Sequence, residues 1–517
     1  MDLNSLKFLL FVIVSVAGYY IVPKKIQWIW LLISGYVYYA AGGWYFLGYL
    51  VFTTITTYSS ARIIDFLRRK EERVSEFEAP QKAFAVKPKA VLVTGLVLNF
   101  GLLGLLKYSD FVIGNINRLT GSSIDFWNLA VPIGISFYIF QSSGYMLDVY
   151  WKRIKSEKNI FRFALFVSFF PQILQGPIGR FSRLASQLYE PHFWDSKRAE
   201  SAIMRILWGF FKKLVIADTA AVFVTAFFDE YEKYPGTAVF AVLMYSIQLY
   251  ADFSGGIDVV SGIAGLFGIS LDENFRQPYF AVSITDFWHR WHITLGTWMK
   301  DYVFYPVSLS GWMGKFGKWG KKVFGRKIGR VLPLCAANLI VFFVVGVWHG
   351  AEWRYIVYGL YNGMIIAISG LLADRYRKWK KSLKINDKSG KWRVFCIVRT
   401  FILVNISWFF DRGHSVSEAF RLMKSAVTSF DASQLLKVPF GNSGSLSFTP
   451  AAIAILVFGV TVLFFHSVLK ERGVDIAGKL QEMPAWMRVI LYAAAVLIIS
   501  GLSQMPSLTG GFIYAQF

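Results

Sequence analysis

The residues of this 517-residue chain that can do chemistry are few, and they sit among apolar neighbours. There are six histidines: His192, His289, His292, His349, His414 and His466. Three lie in dense aromatic stretches, His289 and His292 in "TDFWHRWHITLGTWMKDYVFYP" (285–306) and His349 in "VGVWHGAEW" (345–353). Ionisable residues in an apolar interior are costly and mark function by default. A neutral imidazole offers a lone pair, which makes His349 a candidate general base acting on a hydroxyl. Gly346, Gly350 and the neighbouring tryptophans allow close backbone approach and a shaped cavity. The plainer reading is a structural histidine whose ring bonds a neighbouring helix, and at this level both stand.

On a continuous helix, the i, i+3 spacing of His289 and His292 puts both rings on one face. A histidine pair without a third ligand is a poor metal site, so no metal is expected. Beside Asp286, the run also reads as an interfacial anchor with Trp288 and Trp291 as belt residues. Trp288, Arg290, Trp291, Trp348 and Asp252 are the candidates for lining a substrate tunnel. Asp252, Asp258 and Glu273 lie in the glycine-rich stretch 249–279, which suggests a tight bend lining a cavity. Capping of short helices by Asp and Ser is the alternative there. One more reactive group closes the chain: Tyr514 in "GGFIYAQF" (510–517), behind a possible swivel at Gly510 and Gly511.

The elements that must position these groups are apolar helices. Hydrophobic residues make up 55% of the chain, which argues for an all-α polytopic membrane protein. Candidate spans are 5–22, 27–41, 44–64, 90–106, 128–149, 202–228, 236–250, 332–348, 353–373, 394–410, 451–468 and 488–503. Two broken apolar stretches, 159–178 and 255–270, read as re-entrant or in-plane segments. The net charge of +23 is spread over short loops between apolar runs, so membrane lipid is the expected partner and nucleic acid is not. The basic loops "RRKEER" (68–73), "WKRIKSEK" (151–158), "GKFGKWGKKVFGRKIGR" (314–330), "RYRKWKKSLK" (375–384) and "KERG" (470–473), with Lys24 and Lys25, all fit the cytoplasmic side. An even count of twelve spans then puts both termini outside, with 1–503 as the transmembrane domain and 504–517 as an extracytoplasmic tail. The first apolar run reads as a span and not as a removed signal peptide. Cys335 and Cys396 define neither a disulfide framework nor a metal motif.

The stretches "FWHRWHITLGTWMKDYVFYP" and "VWHG" resemble the membrane-bound O-acyltransferase (MBOAT) superfamily. So do "VPIGISFYIFQSSGYMLDVY" (131–150), "FVSFFPQILQGPIGRF" (166–181) and "ADFSGGIDVVSGIAGLFGISLDENFRQPY" (251–279). The resemblance runs from the N-terminus to at least residue 363. It is greatest to the bacterial branch of alginate O-acetyltransferases, teichoic-acid D-alanyltransferases and peptidoglycan O-acetyltransferases. It implies a helical ring with re-entrant and in-plane helices around a central tunnel, in the cytoplasmic membrane of a bacterium. It also implies that His349 matches the family's essential membrane histidine and His292 its second histidine. His289 departs from the family pattern, where arginine is usual.

The terminal "FIYAQF" resembles the F-I-Y-x-x-F motif of a small protein that accompanies the D-alanyltransferases, in which the tyrosine carries the acyl group. The resemblance thus implies acetyl-CoA as donor substrate, no bound cofactor, and Tyr514 as acyl acceptor and relay. An extracellular serine-type acyltransferase would then act as partner and a cell-wall polysaccharide as final acceptor. The ten residues from Gln504 to Tyr514 reach roughly 33–36 Å when extended. Half the hydrocarbon core is only about 15 Å. Three alternatives remain: direct transfer to a polymer hydroxyl without Tyr514, D-alanyl transfer from a carrier protein, and a lipid or polysaccharide transporter. No inverted repeat of the transporter kind is visible.

Overall fold

The computed structural model describes the whole chain except residues 1, 2, 4, 77–86, 230, 437–449 and 503–517. Tyr514 and the expected tail lie outside the described residues. Among those described, the architecture is helical, and the only β pairing is one antiparallel bridge between Phe275 and Trp291.

The chain forms two compact units. One comprises the described residues up to 206 together with 256–272. It is built on α1 (Leu6–Ile21), α2 (Gln27–Ala40), α3 (Leu47–Glu76), α4 (Pro88–Thr120), α5 (Ile135–Tyr150), α6 (Ile160–Ser168), α7 (Phe170–Gln175), α8 (Phe181–Tyr189) and most of α9 (Ser196–Phe210). The stretch 159–178 is the pair α6 and α7, two short helices broken at Phe169 and buried along most of their length. Their exposed backbone is answered from within the unit, as where Gln141 Nε2 donates to the Phe166 carbonyl at 2.6 Å. Buried polar backbone needs such partners.

The second unit comprises 207–255 and the described residues from 273 to 502. A π-helical stretch (Phe211–Ala217) leads into α10 (Asp218–Asp229). The helix α11 (Ala238–Leu266) begins in this unit and ends in the first. Then come α12 (Ile284–Arg290), α13 (Ile293–Met299), α14 (Tyr305–Ser308), α15 (Gly311–His349), α16 (Trp353–Leu371), α17 (Ala373–Ser382), α18 (Gly390–Arg412), α19 (Val416–Thr428), α20 (Pro450–Glu471), α21 (Ile476–Gln481) and α22 (Ala485–Leu502). Four of these start on a serine whose hydroxyl accepts the N–H three residues on: Ser283 from Asp286, Ser310 from Met313, Ser389 from Trp392 and Ser415 from Glu418. Such caps satisfy backbone donors that the helix itself cannot.

Three expectations are corrected. The stretch 255–270 is not a separate re-entrant segment, because α11 runs unbroken through its glycines to Leu266. Those glycines let helices approach closely: a Cβ on Gly262 would lie 2.6 Å from Ile206. The basic stretch 314–330 is not a loop but most of a helical hairpin. Gly325 takes φ 83°, the chain folds back, and Gly317 comes to lie against Pro333. Nor does the count of twelve spans hold by length and hydropathy. Among the described residues five helices are long and apolar enough to cross a membrane: α4, α11, α15, α18 and α20. The pair α16 and α17, bent by 61°, makes a sixth if taken as one span, while Leu6–Ile21 and Ala485–Gly501 are shorter apolar helices. The parity argument for the termini therefore lapses, and sidedness rests on the basic stretches alone.

The pair α15 and α16 carries the site, and it packs through glycine. A Cβ on Gly359 would lie 2.1 Å from the Phe342 carbonyl oxygen, and one on Gly346 2.4 Å from that of Tyr355. Gly359→Ala is expected to cost about 1–3 kcal/mol by overpacking, read as a lowered unfolding midpoint in detergent. Gly390→Ala, with nothing near its added methyl, should leave the midpoint unchanged.

Candidate active site

His292 sits at a break that the sequence does not announce. Helix α12 ends at Arg290, Trp291 is extended, and His292 takes φ 46° and ψ 52° before α13 begins. The expectation that His289 and His292 share one helical face is therefore wrong. The cause is pairing with the strand-like 274–276 segment: Arg276 N–H donates to the Arg290 carbonyl at 2.9 Å, and Ile293 N–H to the Asn274 carbonyl at 3.0 Å. A left-handed conformation at a non-glycine residue is strained, and it persists only where surrounding bonds enforce it.

Asn274 does the enforcing through its side chain as well. It is fully buried. Its Oδ1 accepts from Thr294 N–H at 3.0 Å and from the Thr294 hydroxyl at 2.9 Å, and it faces His292 Nδ1 at 3.3 Å. Because Thr294 N–H can only donate, the atom it meets is an oxygen. His292 Nδ1 is then the protonated nitrogen, and Nε2 carries the lone pair.

His349 ends α15 and is also buried. Its ring lies near-parallel to Tyr355, with centroids 6.1 Å apart, and edge to face with Tyr358 at 5.0 Å. One indole, that of Trp348, touches both histidines, at 5.5 Å from His292 and 5.2 Å from His349. His349 Nδ1 lies 3.8 Å from Asp411 Oδ1, both side chains being almost wholly buried. Asp411 Oδ2 accepts from the Tyr245 hydroxyl at 2.7 Å, and the Asp411 carbonyl from Arg354 at 2.6 Å.

A cavity of about 510 Å³ opens on His292. Its walls come from α12, α13 and the π-helical stretch that follows it (Lys300–Phe304), α15 and α16, and include Trp288, His289, Leu295, Lys300, Phe342 and Val345. His289 and Lys300 are exposed, so polar groups and cations stand at the edge of a largely apolar chamber.

The tunnel candidates divide. Trp288 lines the cavity and donates to Asn362 at 3.2 Å. Trp291 does not line it: it is 1% exposed and packs against Phe275, Phe287 and Trp408 as core. Arg290 does not line it either, being paired with Asp286 at 2.9 Å and Glu471 at 2.8 Å, which ties α12 to α20. Asp252 is a buried structural ion, 2.7 Å from Lys213, which also meets Asp218 at 2.9 Å. Asn274 and Asp411 are the residues that sequence reasoning passed over. Asn274 stood inside a stretch singled out for its glycines, whereas Asp411, at the end of an apolar run, carried no motif. Among the described residues, no group of three or more His, Cys, Asp or Glu stands where a metal ion could be held.

Comparison with known proteins places this arrangement. The profile of the membrane-bound O-acyltransferase family matches residues 120–320. The probable alginate O-acetylase AlgI of Pseudomonas syringae pv. tomato is 32% identical over 451 residues, covering 86% of this chain and 78% of that protein. The peptidoglycan O-acetyltransferase of Helicobacter pylori is 31% identical, covering 65% of this chain and 64% of that protein. The teichoic acid D-alanyltransferase of Bacillus subtilis is 28% identical, covering 55% and 70%. With its apolar helices, this multi-pass membrane protein belongs to the membrane-bound O-acyltransferase family and is an O-acyltransferase.

Proposed function

We propose that the chain moves an acetyl group from acetyl-CoA on the cytoplasmic side to the hydroxyl of Tyr514 on the outer side of a bacterial cytoplasmic membrane. From there a serine-type extracellular acyltransferase passes it to a cell-wall polysaccharide. The observation that carries this reading is the contact of both His292 and His349 with Trp348, with a 510 Å³ cavity leading to the first. A cavity of that size suits the narrow arm of a thioester donor. Lys300 and His289 at its edge suit the donor's phosphates. The basic stretches 68–73, 151–158 and 375–384 favour a cytoplasmic face for the segments that carry them.

In this mechanism His349 removes the proton from the acceptor hydroxyl as the oxygen attacks the thioester carbonyl. A phenol is protonated at neutral pH, so a base is required. His292, its Nδ1–H held by Asn274, orients the thioester, and it steadies the developing oxyanion once Nε2 is protonated. The carbon–sulfur bond breaks and the thiolate leaves with the proton. A phenyl ester remains competent for onward transfer. Support for Tyr514 comes from the terminal motif and the length of the tail. The naming of relatives as acetylases favours acetyl over D-alanyl.

His349→Ala is expected to lower acyl transfer by about 10²- to 10⁴-fold with the unfolding midpoint kept. His292→Ala should lower kcat by about 10²- to 10³-fold. Both are read as thiol release from acetyl-CoA. Intact mass of the C-terminal peptide after incubation with acetyl-CoA should show one acetyl increment on Tyr514, absent in His349→Ala. Tyr514→Phe should then abolish delivery to polymer. An unmodified tail in an enzyme that still acetylates polymer would instead establish direct transfer to the polymer hydroxyl.

A further inference from the structure

Asp411 belongs to no motif, yet its carboxylate stands 3.8 Å from the His349 ring. We propose that Asp411 is the positioning residue of the general base: its Oδ1 receives the Nδ1–H of His349, so that Nε2 carries the lone pair that takes the acceptor's proton. The inference rests on the reading of His349 as base.

The carboxylate is held in place from three elements. Tyr245 of α11 donates its hydroxyl to Oδ2 at 2.7 Å. Arg354 of α16 donates to the Asp411 carbonyl at 2.6 Å. Helix α18 itself places Asp411 one residue before its end. Oδ1 is the atom left over. It is buried and has no hydrogen-bond partner among the described residues, and His349 Nδ1 stands 3.8 Å away. A buried carboxylate oxygen without a donor is costly, and this imidazole N–H is placed to supply one. The gap exceeds a hydrogen bond by several tenths of an ångström. Catalytic hydrogen bonds are often long before substrate binds, and they close in the working complex.

The charges around the pair make the arrangement specific. Arg354 is matched by Glu352 at 2.8 Å, and Arg412 by Asp229 at 2.7 Å. Among the described residues, the phenols of Tyr245, Tyr355 and Tyr358 also face the pair, with His292 beyond Trp348. Both nearby guanidinium groups thus have carboxylate partners of their own. When Nε2 takes the hydroxyl proton, the acceptor oxygen bonds to the acyl carbon and the carbon–sulfur bond breaks. The leaving thiolate then takes the proton from Nε2, which restores the neutral imidazole. Asp411 stays ionised throughout and offsets the transient positive charge, the role an orienting aspartate plays beside a catalytic histidine.

The test compares Asp411→Asn, Asp411→Glu, Tyr245→Phe and His349→Gln in the full-length protein. Thiol release from acetyl-CoA gives kcat and KM, and histidine NMR of the isotope-labelled protein gives the titration midpoint of His349. The His349 resonance is assigned by its loss in His349→Gln. Asp411→Asn should lower kcat by about 10²- to 10⁴-fold with the donor's KM unchanged. It should also move the acidic limb of the kcat profile and the His349 midpoint to lower pH, because the anion that favours the imidazolium is gone. Asp411→Glu should recover part of kcat. Tyr245→Phe keeps the charge but frees Oδ2, and should lower kcat about tenfold, the worth of one hydrogen bond to a charged group. It decides the matter if Asp411→Asn does not fold. An Asp411→Asn protein with the parent's kcat, acidic limb and His349 midpoint overturns the role of Asp411 alone, as does a Tyr245→Phe protein with unchanged kcat when the first variant is lost. Full activity in His349→Gln overturns the base on which the role rests.

Discussion

The site hangs on one buried amide. Asn274 has no solvent to turn to, so its oxygen collects the Thr294 backbone and hydroxyl donors and faces His292 Nδ1. Those bonds, with the backbone pairing of 274–276 against 290–293, hold His292 in a left-handed turn. Without them the run from Ile284 to Met299 has no glycine or proline inside the break, and a continuous helix would be its natural state. A continuous helix would carry His292 elsewhere on the α12–α13 surface. The pairing therefore converts an apolar helix into a bracket that brings His292 against Trp348.

A second constraint runs through the unit: charges inside it must be matched. Lys213 is 1% exposed and meets both Asp252 and Asp218, while Lys212 meets Ser254 at 2.9 Å. The two lysines are consecutive on the π-helical stretch, and such local widening often accompanies functional sites. Removing one partner from a buried pair costs about 3–5 kcal/mol, so Asp252 holds α11 to that stretch. Its neighbour Phe253 lies edge to face with His292 at 4.9 Å. Asp252 thus holds the helix whose next residue packs against His292.

Much of this was legible in the sequence. Long apolar runs announced the helices, since a helix satisfies its backbone within one continuous segment. The two histidines stood out because an imidazole among tryptophans is costly unless it has a task. Trp288, picked out among the tryptophans, lines the cavity beside His292. Arg290 and Asp252 meet opposite charges and Trp291 meets aromatic rings, and residue type and neighbourhood in sequence cannot distinguish those surroundings from a cavity wall. Arg290 finds Asp286 four residues earlier but also Glu471, far along the chain. The glycines of 255–270 and the basic stretch 314–330 read as breaks and loop. Glycine serves equally for close packing, and lysine is a good helix former.

Residue order and composition were enough for the class of the chain and its family, and they singled out two buried imidazoles as candidates. These follow from composition, from the cost of polar atoms in an apolar interior, and from local motifs. The tertiary structure alone decided where α12 stops, which nitrogen of His292 is protonated, which acidic residue stands beside His349, and which charges are spent on one another. Each depends on residues distant in sequence meeting at hydrogen-bond distance, as Asn274 meets His292 and Tyr245 meets Asp411. No local pattern encodes those meetings, because they arise only when the helices pack.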